Sequence, residues 1–378
     1  MVWVHFSLYQ ALTSLRLSNK ARVIWADAIC INQENLKERQ NQVGMMQRIY
    51  SMASTVIMQL GRDRGHAGPC FQTLSWIVAA WSSFQAARLG PSSSASSAPP
   101  GWYKFPGLSR AVPRKFMRSV SRLFAVTYWR RLWIVQEVVS ARLATVVWGP
   151  EKISWTIVGL AAALIRNNEA LWRAFIGSTP PSMRGRAKSG LMNAYLMHQL
   201  SQQDSQRRQL SFLDLLRLTS SFGFSVIHDR IYAILGLPSQ HSGPGTQFLR
   251  PDYTLLKEGL NIQVCRQILH THNKPFDLLS AVKHEHVPSS FFPTWIPQWQ
   301  VAPIRSITGS YRESMKFNAS AGAVDVSPPR ISLAWPGRTF TVEGIMVDRI
   351  ETSTQDWNQG GVSSNFWSRV ARGLNRSL

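Results

Sequence analysis

A polar run near the N-terminus holds the first side chains that can do chemistry. Residues 22–25 are apolar enough to predict a short buried strand, and the chain leaves it through Asp27, Asn32 and Gln33. In an open parallel sheet, ligands bind just beyond the carboxyl ends of the strands. One carboxylate and two amides there can hold a polar ligand, so we predict a binding loop. The alternative is that Asp27 caps the following turn and the amides satisfy loop backbone groups.

Two histidine pairs, His270 with His272 and His284 with His286, have a spacing that suits a metal ion bound on a strand. No cysteine or carboxylate nearby completes a recognisable ligand set. The three cysteines are scattered singly, which argues against a thiolate zinc site and against a disulfide scaffold. We therefore interpret the histidines as exposed side chains and predict no metal site.

A basic block extends over residues 104–131, where lysines and arginines occur without any acidic residue between them. Arg114, Arg118 and Arg122 are four apart and would share one face of a helix, which can bind phosphate groups of a nucleic acid. The commoner outcome is a solvated helix face. The net charge of +22 and the pI near 10.9 also suit an anionic partner, although basic linkers explain them equally.

The bulk composition indicates a folded protein without a membrane span. Hydrophobic residues make up 44% of the 378 residues and charged residues 16%, enough for a core in two or three compact units. The longest apolar stretch, 70–87, is interrupted by glutamines and serines, which predicts a buried helix rather than a transmembrane one. The N-terminus shows no basic leader before its apolar residues. These features predict a cytoplasmic protein.

The elements that would position these groups follow from the hydrophobic periodicity. A strand at 22–25, a helix at 36–52 and a strand at 56–60 form a βαβ unit, which predicts a parallel sheet covered on both faces. A further strand is predicted at 144–148, and strand character returns within 330–352. Helices are predicted at 6–17, 70–88, 111–126, 129–141, 154–176, 191–203, 210–220, 229–236 and 255–270. Two Ser/Pro/Gly-containing stretches, 89–110 and 178–190, are predicted to be flexible.

Two dense motifs stand out in the sequence. The first is "RVIWADAICINQENLKERQNQVGMMQRIYSMASTVIMQLG" at 22–61, and the second is "YWRRLWIVQEVVSARLATVVWG" at 128–149. Together they resemble the heterokaryon-incompatibility (HET) domain of filamentous fungi. Weaker similarity follows in "DRIYAILGL" at 229–237, "PDYTLLKEGL" at 251–260, "WIPQW" at 295–299 and "VEGIMVDRI" at 342–350. Family members usually begin with a strand carrying Tyr-x-x-Leu-Ser-Tyr-x-Trp-Gly. The present sequence starts after the position of that strand. The arginine-bearing stretch that usually precedes Asp-Arg-x-Tyr is replaced here by residues 220–228.

The resemblance implies a fold and a candidate catalytic residue. HET domains look distantly like TIR domains, some of which cleave NAD with a single glutamate on a Trp-x-x-x-Glu-like helix. By its place in the motif, Glu137 would be that residue, and Trp133 and Gln136 would join Asp27, Asn32 and Gln33 around the ligand. A carboxylate stabilises the oxocarbenium-like charge that develops as nicotinamide leaves. The structural alternative makes Glu137 an ion-pair partner of a nearby arginine (Arg130, Arg131 or Arg142) and the tryptophans part of the core.

We therefore expect a TIR-like (flavodoxin-like) parallel sheet with flanking helices, then a mainly helical region and a small C-terminal β segment. The expected division is an α/β core at 1–150 containing the 89–110 linker, a helical extension at 151–300 and a β-containing segment at 301–378. The implied function is non-self recognition leading to programmed cell death, through a partner protein or self-association, with NAD as a candidate substrate. The alternatives are a non-enzymatic oligomerising adaptor and, less favoured, a nucleic-acid binder that uses the basic block.

Overall fold

The computed structural model describes residues 4–89, 113–202, 210–237, 239, 248–271, 275–282, 293–300, 331–334 and 339–342. Its first helices are α1 (Phe6–Leu15), α2 (Asp27–Cys30), α3 (Leu36–Met52), α4 (Ala67–Leu89), α5 (Arg114–Ala125) and α6 (Trp133–Ser140). The next are α7 (Trp155–Asn167), α8 (Glu169–Ser178), α9 (Arg184–Ser201), α10 (Phe212–Leu218), α11 (Asp229–Tyr232), α12 (Lys257–Thr271) and α13 (Pro275–Leu279). Short 3-10 turns occupy Thr127–Arg130 and Pro181–Met183.

A small mixed sheet lies among these helices, so the fold is α/β. Strand β1 (Val56–Gln59) pairs in parallel with β2 (Ala144–Trp148), and β2 turns back antiparallel into β3 (Glu151–Ser154). Gly149, at the turn between β2 and β3, has a φ of +57°, a conformation that glycine adopts without strain. The parallel β1–β2 pair confirms that part of the predicted sheet, whereas no strand was predicted at β3, whose last residue, Ser154, was placed at the start of the helix predicted at 154–176.

The predicted strand at 22–25 is wrong. The segment forms no ladder with β1 or with any other described strand. Val23 is 100% exposed and Ile24 is 36% exposed, so the apolar side chains that suggested burial face solvent. A short apolar run becomes a strand only where a neighbouring strand supplies hydrogen-bond partners. The predicted βαβ unit therefore lacks its first strand, and the loop at 27–33 does not leave the carboxyl end of any strand.

Helix α9 lies at the centre of the helical part. It packs against α5, α6, α7 and the 3-10 turn before α6. Gly190 makes the closest approach: a Cβ added there would lie 1.9 Å from the carbonyl oxygen of Phe124 on α5. Trp129, in the 3-10 turn, is fully buried, and its indole nitrogen donates to Leu123 O at 2.8 Å. This confirms the core interpretation of that tryptophan.

Local capping explains several helix boundaries. The Asn35 side chain accepts hydrogen bonds from the second and third backbone N–H groups of α3, and Ser211 forms a capping box with Asp214 at α10. The single helix predicted at 154–176 is instead two, because the chain turns at Asn168, whose side chain caps α8 at Leu171 N.

The predicted flexibility of 178–190 is also wrong. Thr179 is buried and donates to Phe175 O at 2.6 Å, and Ala187 and Gly190 are buried on α9. Proline and glycine suggested a linker there, but Pro181 begins a 3-10 turn and the glycine permits close packing. The 89–110 linker lies almost wholly outside the described residues.

The C-terminal β segment is present as two strands, β4 (Ile331–Ala334) and β5 (Thr339–Val342), paired antiparallel. In the part of the chain that the structure describes, no helix has the length and apolar character needed to cross a membrane.

Candidate active site

Glu137 lies on α6, a helix held in place by its apolar face. Ile134, Val135 and Val138 are buried, and α6 packs against α3. Glu137 itself is half-buried. Among the described residues it forms no salt bridge, since the two ion pairs found there are Arg39 with Asp229 and Arg173 with Glu169. The ion-pair alternative therefore finds no direct partner for this carboxylate.

Burial and three neighbouring residues act on the Glu137 carboxyl group. Burial raises its pKa to about 7; Arg131 opposes this rise, Asp27 adds to it, and a hydrogen bond with the Tyr128 hydroxyl lowers the pKa. Burial is the largest cause, so the carboxyl has lost much of its water even though part of the residue stays accessible. A group with this pKa changes its charge near neutral pH.

Two tyrosines complete the cluster around Glu137. Burial raises the pKa of Tyr50, on α3, far above its ordinary value, with Glu137 and Asp27 as further causes. Burial and then Glu137 likewise raise the pKa of Tyr128. Trp25 meets the Tyr50 ring edge to face, with 5.7 Å between ring centroids. The structure therefore gathers α2, α3 and the 3-10 turn before α6 around one carboxyl group.

The structure distributes the six predicted site residues unevenly. Asp27 is exposed at the start of α2 and close enough to Glu137 and Tyr50 to act on both. Trp133 is partly buried and packs against the core. Asn32 accepts from Glu34 N at 3.1 Å and Gln33 donates to Asp27 O at 3.2 Å, so both amides make local loop hydrogen bonds.

Gln136 is 2% exposed and works as a structural connector. In the amide orientation that satisfies both groups, its nitrogen donates to Ala233 O at 3.2 Å and its oxygen accepts from Gln47 N at 3.0 Å on α3. Gly236 lies so close that an added Cβ would be 2.2 Å from the end of the Gln136 side-chain amide. The amide of this motif residue is thus occupied by contacts between α6, α3 and the segment after α11.

Sequence reasoning did not assign the tyrosines, Trp25 or Arg131 to the site. Tyr50 and Tyr128 lie inside the two quoted motifs, and this position was the sequence signal that could have assigned them to the site. Their contact with Glu137 depends on α3 packing against α6 and on the path of residues 127–132. Neither can be read from periodicity.

A second polar network joins the first motif to the segments of weaker similarity. The Arg39 guanidinium lies 4.0 Å from the Tyr253 ring centroid and 3.8 Å from Asp229 Oδ1, which accepts from the Tyr253 hydroxyl at 3.0 Å. Gln40 donates to Asp252 Oδ1 at 3.1 Å. Arg230 is 3% exposed and donates to backbone carbonyls of Leu216 and Trp299. These contacts tie α3 to Asp229, Asp252 and Tyr253, and Arg230 joins Leu216 on α10 to Trp299.

The described residues include part of the two histidine pairs and part of the basic block. Over the described ranges, no group of three histidine, cysteine or carboxylate side chains could hold a metal ion. His270 is exposed, and its predicted partners His272, His284 and His286 lie outside those ranges. Of the predicted phosphate-binding face, Arg114 and Arg118 on α5 are exposed, whereas the Arg122 Nε is buried without a hydrogen bond.

Comparison with known proteins gives one match. Residues 2–137 match the family model described as heterokaryon incompatibility protein (HET), a stretch that contains the first motif and ends at Glu137. No curated protein and no solved structure matches the chain. The chain therefore carries, over residues 2–137, a domain of the heterokaryon incompatibility (HET) family.

Proposed function

We propose that this protein acts in fungal non-self recognition, where it triggers programmed cell death after fusion with a genetically different cell, and that Glu137 carries the chemistry. The family supports the broad role. The observation that supports the chemical part is the Glu137 carboxyl group, which is desolvated, lacks a salt bridge among the described residues and is flanked by Tyr50, Tyr128 and Asp27. Strongly perturbed groups of this kind cluster at functional sites.

The reaction we propose is cleavage of the bond between nicotinamide and ribose in NAD, on a fold of TIR-like ancestry. As that bond breaks, positive charge develops on the ribose ring, and an ionised carboxylate stabilises it. Glu137 would supply that carboxylate. Asp27, exposed beside it, and Trp133 are the residues we assign first to ligand contact. Asn32, Gln33 and Gln136 would contribute mainly by shaping the surrounding loop and helix.

The test compares the wild-type chain with Glu137→Gln, a change that keeps the size and removes the charge. We expect NAD cleavage to fall about hundredfold or more and cell killing to be lost while the variant stays folded. Glu169→Gln is the matched control, because Glu169 is an exposed glutamate paired with Arg173 on α8. Purified protein is assayed for NAD loss and for unfolding, and the same variants are expressed in fungal cells for viability.

The rival function is a non-enzymatic adaptor that signals by oligomerising. The exposed apolar side chains of Val23, Met52 and Phe6 favour it, because exposed apolar surface suits association. A stable Glu137→Gln variant that still kills, with NAD untouched by either version, would replace the enzyme proposal with this one. A nucleic-acid role through the basic block is less favoured, since Arg122 does not share the exposure of Arg114 and Arg118.

A further inference from the structure

Residues 128–132 carry two of the groups that act on Glu137. The Tyr128 hydroxyl and the Arg131 charge both lower the pKa of Glu137, against the effect of burial. Both groups lie in or beside a 3-10 turn, Thr127–Arg130, rather than in a long helix. A turn this short has few internal hydrogen bonds, so its position depends on what holds it from outside.

One support comes from Asn193, in the middle of α9. This asparagine is 2% exposed, and its Nδ2 donates to the carbonyl oxygen of Trp129 at 2.9 Å. Its Oδ1 accepts from the Ser221 hydroxyl at 2.9 Å. Since the Trp129 side chain is fixed in the core, the asparagine anchors the backbone immediately after Tyr128.

The second support is Gly223, whose backbone forms hydrogen bonds with the residues before and after Arg131. Gly223 N donates to Arg130 O at 2.6 Å, and Gly223 O accepts from Leu132 N at 2.9 Å. The two bonds form a parallel bridge between Arg131 and Gly223. Residues 221–223 fall within the stretch 220–228 that departs from the family pattern, and Asn193 and Gly223 both lie outside the matched region 2–137.

We infer that Asn193 and the 221–223 turn act as positioning residues of the Glu137 site, holding Tyr128 and Arg131 against its carboxyl group. The inference rests on the proposed function for its catalytic meaning. The support that Asn193 and residues 221–223 give to residues 128–132, which we call the clamp, can be tested without NAD. Loosening it would move the Tyr128 hydroxyl and the Arg131 charge away from the carboxyl group. Both stabilise the ionised form, so their loss raises the pKa of Glu137.

The experiment follows the titration of Glu137 by NMR in protein labelled with 13C-glutamate, with the signal assigned by its absence in Glu137→Gln. Asn193→Leu removes both amide hydrogen bonds at nearly constant size, and we expect the midpoint to move up by about half a pH unit or more. Asn261→Leu is the control, because Asn261 is also fully buried but its amide pairs with Gln300 instead. We expect it to lose comparable stability without moving the midpoint.

An unchanged or lowered midpoint in Asn193→Leu, or an equal rise in Asn261→Leu, overturns the inference. If Asn193→Leu does not fold, Ser221→Ala decides, because it removes only the hydroxyl that donates to Asn193 Oδ1. A smaller upward shift in Ser221→Ala supports the clamp, and no shift refutes it. A wild-type chain that leaves NAD intact would refute the proposed reaction while leaving this titration result readable.

Discussion

Glu137→Gln should make the protein more stable above neutral pH. The ordinary pKa of this carboxyl is 4.5, and in the folded chain burial raises the pKa to about 7. Between these values the unfolded state has lost the proton and the folded state keeps it, so the wild type loses stability as the pH rises from 4.5 through 7. A separation of about 2.5 pH units corresponds to about 3 kcal/mol, an upper limit for a half-buried group. The neutral amide of the variant carries no such penalty.

Urea unfolding of the wild type and Glu137→Gln at several pH values between about 4 and 9 measures this difference. We expect the two proteins to agree near pH 4 and the variant to gain up to about 3 kcal/mol by pH 8. Glu169→Gln should show no such trend, because that exposed glutamate loses only a surface ion pair worth about 0.5 kcal/mol. A variant less stable than the wild type at pH 8, or a difference independent of pH, would show that Glu137 is a paired structural carboxylate.

Three further changes test the packing and the site. Gly190→Ala should destabilise the fold by about 3 kcal/mol or more in urea unfolding, because its Cβ would lie 1.9 Å from a backbone oxygen. Gly185→Ala on the same helix has nothing within 4 Å of the added Cβ and should stabilise the fold by about 0.5–1 kcal/mol. Equal effects of the two changes would contradict the α5–α9 contact. Tyr128→Phe removes the hydroxyl group that lowers the pKa of Glu137 and should raise the NMR titration midpoint of Glu137 by about 1 pH unit. A fall or no change would count against the placement of Tyr128 at the carboxyl group. Arg39→Met leaves the buried aspartate of α11 without its cation and should cost about 2 kcal/mol or more in thermal or urea unfolding, and a neutral result would mean that this network contributes nothing.

Sequence periodicity located most helices because amphipathic spacing is a local property. Helix α3 and the strand at 144–148 were predicted with the bounds observed. The strand at 22–25 failed because apolar character alone was taken as burial, and the structure exposes Val23 completely. The stretch 178–190 failed for the opposite reason. Its glycine was interpreted as freedom of the backbone, but Gly190 allows two helices to approach more closely than any side chain permits.

The candidate site shows a similar division. Motif position identified Glu137 and Asp27, and the structure brings the two into one electrostatic cluster. The tyrosines that complete the cluster stood in the same motifs, but their role depends on contacts between elements far apart in the chain. Tertiary packing decides whether the side-chain amide of a residue such as Gln136 faces a ligand or a neighbouring backbone. The sequence carries no local signal for that packing.

Most polar motif residues in this HET domain have partners that explain them structurally. Arg39 contacts Asp229 and Tyr253, and Gln40 donates to Asp252. Gln136 joins α6 to α3, and Asn32 supports a loop. Glu137 differs, because its position raises the free energy of its own ionised form and no described cation compensates for it directly. Ionisable groups whose pKa is strongly perturbed cluster at functional sites, where activity is often kept at a cost in stability. Membership of a dense motif is therefore weak evidence for catalysis here, and our proposal that Glu137 is catalytic rests instead on its desolvated carboxyl group, which forms no salt bridge among the described residues.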